Sequence, residues 1–319
     1  MTDTFYIVTA DGIKDTSTLG KTVIALGSFD GVHAAHRALV AEAMSLGRRL
    51  GAKTGVWCFS TLPVNSLRSE KVPMLSTLEE KIRILLSLGL DFVAVGDFSA
   101  LCSLSPDDFI ENILKKELNC IGCACGFNNR FGKGGAGSPE TLKAAFGEGY
   151  ALVMPEFTWE NKTVSSSAIR ELVSQGAVNT AALMLKRPFA VTSAVIRGKR
   201  LGRRLGFPTA NQTFPEGIII PKRGIYATVC ITPDGKRYAG VSNVGVRPTI
   251  TDGSDAHAVN CETYIHGFDG KIYGEMLTVE FHEYLREEKK FESTEELSDQ
   301  ISRDLESTLS FFNRSGIDF

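Results

Sequence analysis

The hydrophobic pattern of this chain changes period once, near residue 186, and that change limits the fold more than any other feature. Over residues 23–185 short apolar runs alternate with helical periods, and from Phe189 onward the period is two. Residues 23–26 predict a strand, followed by a helix with Leu39, Val40, Ala43, Leu46 and Leu50 on one face. Residues 55–59, 92–95, 120–125 and 150–154 predict further strands. Helix starts fall between them. Ser76-Thr-Leu-Glu79 has a capping-box pattern, with Leu78, Ile82 and Leu85 facing inward. Ser105-Pro-Asp-Asp sets a cap and a first-turn proline ahead of Phe109, Ile113 and Leu114, and Ser138-Pro-Glu opens another helix. Such alternation implies a parallel sheet covered on both faces, with ligand at the carboxyl ends of its strands.

The second half predicts strands over 189–197, 224–231, 238–243, 260–264 and 275–283, with Pro233-Asp-Gly235 and Asp269-Gly270 as hairpin turns. Closely spaced antiparallel strands favour a small closed barrel. Ser293-Thr-Glu-Glu296 begins a helix running to about Phe311 and laid on that barrel. A short helix ends at Lys186-Arg187-Pro188, so the expected domains are 1–186 and 187–319.

At 319 residues the chain can build two cores, and its apolar and charged fractions, 43% and 23%, are those of a soluble globular protein. A formal net charge of −2 argues against nucleic acid or an anionic membrane as the main partner. The first residues lack a basic n-region and no apolar run approaches a membrane span, so the expected location is the cytoplasm. The oligomeric state stays open between a single chain and a homo-oligomer. Seven cysteines, an odd number scattered over both halves, do not read as a disulfide framework. Cys120, Cys123 and Cys125 read as buried thiols in a strand, with a zinc or redox site as the alternative. His257, His266 and His282 read as surface or turn residues.

Two stretches carry chemistry. Residues 198–211 set four basic side chains and three glycines ahead of Pro208-Thr209-Ala-Asn211. Glycines let a backbone approach a bulky anion, and main-chain N–H groups with Arg and Lys satisfy phosphate charge. Pro208 fixes φ, and Thr209 and Asn211 share one side of an extended piece, where their oxygens suit a hard cation such as Mg²⁺. A basic surface loop followed by an edge strand is the alternative. The second stretch, Gly27-Ser-Phe29-Asp30-Gly31-Val-His33-Ala-Ala-His36, lies between the first core strand and the first long helix. A glycine-bearing strand-to-helix turn offers free N–H groups and a helix dipole to a phosphate. His33 and His36 share a face, where an imidazole can stabilise charge growing on an α-phosphate and its leaving pyrophosphate. An incidental polar cap is the alternative.

Residues 202–211 resemble the riboflavin kinase signature, and almost the whole chain is similar to bacterial bifunctional riboflavin kinase/FAD synthetases. The resemblance implies a Rossmann-like α/β nucleotidyltransferase domain followed by a small antiparallel β-barrel kinase domain with a C-terminal helix. The substrates it implies are ATP, riboflavin and FMN, with Mg²⁺. Residues 27–36 resemble the His-x-Gly-His signature of nucleotidyltransferases, with Ala35 in place of its glycine. Val164-Ser-Ser-Ser-Ala-Ile-Arg170 resembles the second nucleotidyltransferase element, where Ser166 and Arg170 would hold ATP phosphates. Gly126-Phe-Asn128-Asn129-Arg-Phe131-Gly132 resembles a third, glycine-rich and expected to be mobile, with Asn128 as a phosphate contact and Asn129 in place of an aromatic. Phe59-Ser-Thr-Leu62-Pro63 lacks the histidine and first proline of a Phe-x-Pro-His-Pro stretch.

In the second half, Ser242-Asn243-Val-Gly-Val-Arg-Pro-Thr249, Cys261-Glu262-Thr263, Leu285-Arg286 to Phe291 and Gln300 to Asp304 match the kinase pattern. By that resemblance Glu262 is the general base for the ribityl hydroxyl, as a hydroxyl nucleophile requires. Thr209 and Asn211 hold Mg²⁺. Gly198, Lys199, Gly202, Gly206, Phe207, Pro208 and Asn243 surround the nucleotide, and Arg286 lies on the flavin side. Gly27, Phe29, Asp30 and Gly31 contact ATP in the first half, where His33 and His36 are catalytic. Trp57 and Trp159 could stack on flavin, although Trp57 sits in a core strand and reads as packing. Two other readings stay open. One is a riboflavin kinase with a degenerate nucleotide-binding first domain, favoured by Ala35, Asn129 and Leu62. The other is a flavin- or nucleotide-binding regulatory module without turnover.

Overall fold

The computed structural model describes residues 5–9, 12–198, 202, 206–246 and 259–319. The chain divides into two compact units between Ser166 and Ser167. In the first, strands β1 (Phe5–Thr9), β2 (Gly12–Lys14), β3 (Thr22–Leu26), β4 (Lys53–Phe59), β5 (Phe92–Gly96), β6 (Cys120–Gly126) and β7 (Ala151–Met154) form one sheet in the order β2-β1-β5-β4-β3-β6-β7. The five strands from β5 to β7 are parallel, as the alternation predicts. The antiparallel pair β1 and β2 lies ahead of the first predicted strand and extends the β5 edge.

Helices α1 (Ala34–Leu50), α2 (Pro63–Leu67), α3 (Leu78–Ser87), α4 (Phe98–Leu101), α5 (Pro106–Asp108) and α6 (Pro139–Phe146) fill the connections, with a π-helical stretch over Phe109–Glu117 continuing α5. Alternate residues of the buried strands serve two cores. Ile24, Leu26, Trp57 and Phe92 pack with Phe109 and Leu114, while Val23, Ala25, Val56 and Val93 pack with Leu39, Val40, Leu46 and Leu85 of α1 and α3. Each of the larger aliphatic and phenylalanine side chains among them contributes about 1.5–3 kcal/mol by leaving water. Trp57 is core packing, edge-on to Phe59 and Phe109. Cys120, Cys123 and Cys125 lie buried in β6.

Local signals shifted in one helix. The cap of α3 is Thr77, whose hydroxyl accepts from Glu80 N at 3.2 Å, so the helix starts one residue later than the Ser76 pattern suggests. The helix buries Lys81 with Ile84 and Leu85, and Leu78 and Ile82 are only partly covered.

A two-residue-strand hairpin, β8 (Thr158–Trp159) and β9 (Lys162–Thr163), precedes α7 (Ser166–Gln175), and α8 (Val178–Leu185) follows. The second unit contains the sheet β10-β15-β12-β13-β14-β11. Its strands are β10 (Phe189–Ala194), β11 (Thr209–Thr213), β12 (Gly224–Ile231), β13 (Arg237–Val246), β14 (Val259–Ile265) and β15 (Met276–Arg286). All neighbours are antiparallel, and the sheet curls into a small barrel. Among the described residues its seam is one backbone bridge, Ile196 N to Asn211 O at 2.8 Å, beside which Gln212 Nε2 donates to Ser193 O and Leu277 O at 2.8 and 2.7 Å. Helix α8 packs on β15 and β10, and α9 (Thr294–Ser315), capped by Ser293, lays Phe312 on Ala227, Val229 and Ala239.

Pro233-Asp-Gly235 makes the expected β12–β13 hairpin, with Gly235 at φ 80°. Asp269-Gly270 does not make one. It connects β14 to β15, which are not neighbours in the sheet, because β12 and β13 stand between them. His266 lies exposed in the turn after β14, but His282 is a mostly buried β15 residue packed edge-on against Phe312. His257 lies outside the described residues.

Candidate active sites

In the first unit the chain runs β3 to β4 to β5 in one direction and then crosses to β6 on the other flank of β3. The carboxyl ends of β3 and β6 therefore border the switch point, where open α/β sheets bind ligands. Residues 27–36 follow β3 and residues 126–132 follow β6. The strand order thus starts the two motifs from neighbouring strand ends.

The turn after β3 is tight. Phe29 and Val32 adopt left-handed φ values of 51° and 43°, and Gly31 lies at 76°. A branched valine there is strained, and such strain concentrates where geometry serves a site. A Cβ on Gly27 would meet the Phe29 ring at 3.1 Å, so Gly27 permits that fold-back. Asp30 is fully buried, its Oδ1 accepting from Leu75 N at 2.9 Å, and Ser166 Oγ donates to Asp30 O at 2.9 Å. Ser166 is thus tied to the turn. Arg170 falls in the second unit, one turn into α7, with Nη1 donating to Ser167 Oγ at 3.3 Å.

His33 caps α1, and the His33 and His36 rings stack at 3.7 Å with only 16° between planes, while Phe29 backs His36 at 4.9 Å. Burial, then His33, then Lys81 hold the His36 imidazole well below its ordinary pKa. Its Nδ1 has no hydrogen-bond partner among the described residues. Imidazole N–H groups at a helix start are suited to donate to an anion. Of the departures, Ala35 sits half-buried in the first turn of α1, Leu62 is buried at the start of α2, and Asn129 Nδ2 is buried without a partner among the described residues. Asn128 is exposed. The glycine-rich run beyond it is pinned by the Phe131–Gly137 bridge and by Lys133 N on Leu104 O at 2.6 Å.

In the second unit, strand register assembles the site. Asn211 pairs with Glu262 and Glu262 with Asn243, while Asn243 pairs with Ile225 and Ile225 with Arg286. One row of side chains thus crosses five strands on a single face. The next row sets Thr209 beside Tyr264 and Val241. Apart from Asn211, both rows line a cavity of about 270 Å³ between the sheet and α9. Glu262 is half-buried there, accepting from Asn260 Nδ2 at 3.2 Å. Asn243 Oδ1 is buried with no partner among the described residues.

Gly198 and Gly202 fit their surroundings only because they lack side chains. A Cβ on Gly198 would lie 2.6 Å from the Asn211 amide, and one on Gly202 2.3 Å from Phe207 O. Gly206 takes φ 82°, and exposed Pro208 leads into β11, with the Phe207 ring edge-on to Tyr264 at 5.2 Å. Lys199 lies outside the described residues. The Asn211 amide nitrogen lies 3.4 Å from Thr209 Oγ1, so the two metal candidates are neighbours on one face. Arg286 borders the cavity but is held by a bidentate pair with Asp304, at 2.9 and 2.6 Å, which Gln300 joins at 3.0 Å. The motif match contains both partners, yet the ion pair between them is visible only in three dimensions.

Residues 15–168 match the family model described as FAD synthetase, and residues 185–312 the one described as riboflavin kinase. Bifunctional riboflavin kinase/FMN adenylyltransferases from Bacillus subtilis and Listeria monocytogenes are 32% and 34% identical, covering 92% and 91% of this chain and 93% and 92% of their own. The Escherichia coli K12 protein of the same name is 32% identical over 91% of this chain and 92% of its own. The crystal structure of a Streptococcus pneumoniae protein named for macrolide efflux superposes with a TM-score of 0.83 at 27% identity, covering 93% of this chain and 97% of that one. No helix among the described residues here is long and apolar enough to cross a membrane. With both halves matched and relatives above 30% identity along nearly the whole length, the chain belongs to the bifunctional riboflavin kinase/FMN adenylyltransferase family.

Proposed function

We propose that this protein converts riboflavin to FMN with ATP in residues 187–319, and FMN to FAD and pyrophosphate with a second ATP in residues 1–186. The observation that carries the reading is that each half matches its own family model while named relatives combine both activities in one chain. The kinase-only and non-catalytic readings have no comparable support.

In the kinase step, Glu262 accepts the proton of the ribityl hydroxyl as that oxygen attacks the γ-phosphorus and the bond to the β-phosphate oxygen breaks. Asn243, Gly198, Gly202 and Gly206 border the nucleotide, with Lys199 and the rest of the basic loop. The neighbouring hydroxyl and amide of Thr209 and Asn211 suit Mg²⁺, a hard cation that would neutralise phosphate charge when bound. In the adenylyl step an FMN phosphate oxygen attacks the α-phosphorus and pyrophosphate leaves. His33 and His36 donate hydrogen bonds to the developing charge, and the buried turn at Gly27, Phe29, Asp30 and Gly31 positions the phosphates, with Asn128, Ser166 and Arg170 as further contacts. Small-molecule substrates in the cytoplasm, with no nucleic acid or membrane partner, complete the reading.

Chromatography of products from purified protein with riboflavin, ATP and Mg²⁺ tests it. FMN followed by FAD is the expected result. FMN alone would remove the adenylyl half, and neither product would overturn both.

A further inference from the structure

Arg286 enters the cavity wall of the second unit by way of an irregularity in its strand. The β12–β15 ladder shifts register between Ile225 and Tyr226, so Tyr284 pairs with Tyr226 but Arg286, not Leu285, stands opposite Ile225. An extra residue of this kind bends the strand and re-aims a side chain, and such bulges gather beside sites. Two residues of α9 then fix the guanidinium. Asp304 Oδ1 and Oδ2 accept from Arg286 Nε and Nη2 at 2.9 and 2.6 Å, and Gln300 Nε2, one turn earlier, donates to Asp304 Oδ1 at 3.0 Å. Arg286 Nη1 donates to Glu287 O at 2.9 Å. All three guanidinium nitrogens are thus engaged in the plane of the group, and its charge is met by Asp304. What remains for a ligand is chiefly the flat face, and guanidinium faces stack on planar rings.

Position along the cavity says which part of a substrate meets that face. From Glu262 on β14 to Arg286 on β15 the row crosses three strand spacings, about 14 Å along the sheet. Glu262 and Asn243 make one end of the row polar. At the other end Ile225, opposite Arg286, and Ile301, three residues before Asp304 on α9, supply apolar wall. Riboflavin has the same polarity, a hydroxylated ribityl chain carrying a flat tricyclic ring. A terminal hydroxyl at Glu262 leaves the ring at the Arg286 end.

We infer that Asp304 and Gln300 are positioning residues of the kinase site, holding the Arg286 guanidinium face against the isoalloxazine ring of riboflavin. The inference rests on the riboflavin kinase reading of the second unit and adds to it the group that recognises the ring.

The test separates ring from tail with lumiflavin, the isoalloxazine ring bearing a methyl group in place of the ribityl chain. Quenching of flavin fluorescence reads binding of riboflavin and lumiflavin to the full-length chain whether or not FMN is made. Gln300, Asp304 and Arg286 all belong to the second unit, so a difference between parent and variant reports on that unit's site. In Asp304→Asn the Kd of both flavins should rise by the same factor, about fivefold or more, and in Gln300→Leu by about twofold or more. Arg286→Lys keeps the charge without the planar fork and should bind both flavins as weakly as Arg286→Met. In turnover the riboflavin KM should rise by the same factor, while kcat and the ATP KM stay within about twofold of the parent. A loosened barrel would raise both KM values together. Circular dichroism at the assay temperature shows which variants are folded, and should Asp304→Asn not be, Gln300→Leu leaves the ion pair in place and carries the test. Parent-like lumiflavin binding in any of these folded variants would overturn the inference, as would weakened riboflavin binding with lumiflavin unaffected, or an equal rise in the ATP KM. A parent that binds neither flavin would overturn it together with the kinase reading. A parent that binds both but forms no FMN would sink the kinase reading alone, while the lumiflavin comparison still decides the role of Asp304.

Discussion

Replacing Asp304 by asparagine should selectively weaken the second unit. The Asp304 side chain is 6% exposed and accepts two bonds from the Arg286 guanidinium, whose own side chain is 25% exposed. Removing one member of a buried pair costs about 3–5 kcal/mol, because the survivor is left uncompensated. Arg286 keeps a quarter of its surface in water and Nη1 on Glu287 O at 2.9 Å, so about 2 kcal/mol is the expected loss. For a unit of this size that lowers Tm by about 4–8 °C. Both tryptophans, Trp57 and Trp159, belong to the first unit. Tryptophan emission therefore gives an internal control that should not move, while far-UV circular dichroism registers the earlier transition of the barrel. Pairing Asp304→Leu with Arg286→Met should recover most of the loss, since an apolar pair of similar volume restores complementarity. A barrel transition within about 1 °C of the parent in Asp304→Asn would refute the argument.

Glu262→Gln should slow riboflavin phosphorylation by about 10²–10⁴-fold while FAD formation from supplied FMN continues, and near-native FMN production would remove Glu262 as the base. His36→Ala should abolish FAD formation and spare FMN formation, read from the same chromatogram; a variant making FAD at the parent rate would sink the assignment. Burial pushes the thiols of Cys120 and Cys261 up from 9.0 to about 12 and about 11. A raised thiol pKa stabilises the fold fully below the unfolded value, and that contribution is lost as pH climbs toward the folded one. Stability should therefore decline between about pH 9 and pH 11. At neutral pH a chromogenic disulfide reagent should react quickly with exposed Cys102 and with the other six of the seven cysteines only after unfolding.

Local chemistry accounts for most of what was readable in advance. Strand periods, the Ser105, Ser138 and Ser293 caps and the Pro233-Asp-Gly235 hairpin depend on neighbours a few residues away, and each stands where its pattern puts it. The α3 cap slipped by one residue because Ser76 and Thr77 are both competent caps and only packing chooses between them. Lys81 also faces inward, which no local rule signals for a lysine. Asp269-Gly270 carries the residues of a hairpin, yet the ladder partners of β14 and β15 are other strands. His282 was concealed in the same way, since its burial comes from α9, thirty residues further along in sequence, laid across β15's neighbours.

By itself the sequence determined the two-part architecture, the family, and which residue types stand at each site, because period, turn chemistry and motif spacing are properties of short segments. Tertiary structure decided which of those residues meet. Register across five strands set Asn211, Glu262, Asn243 and Arg286 in one row, and a crossover at β3 and β6 started two loops from neighbouring strand ends. Pairing between segments distant in sequence is fixed by the burial of whole faces at once, which no single stretch encodes.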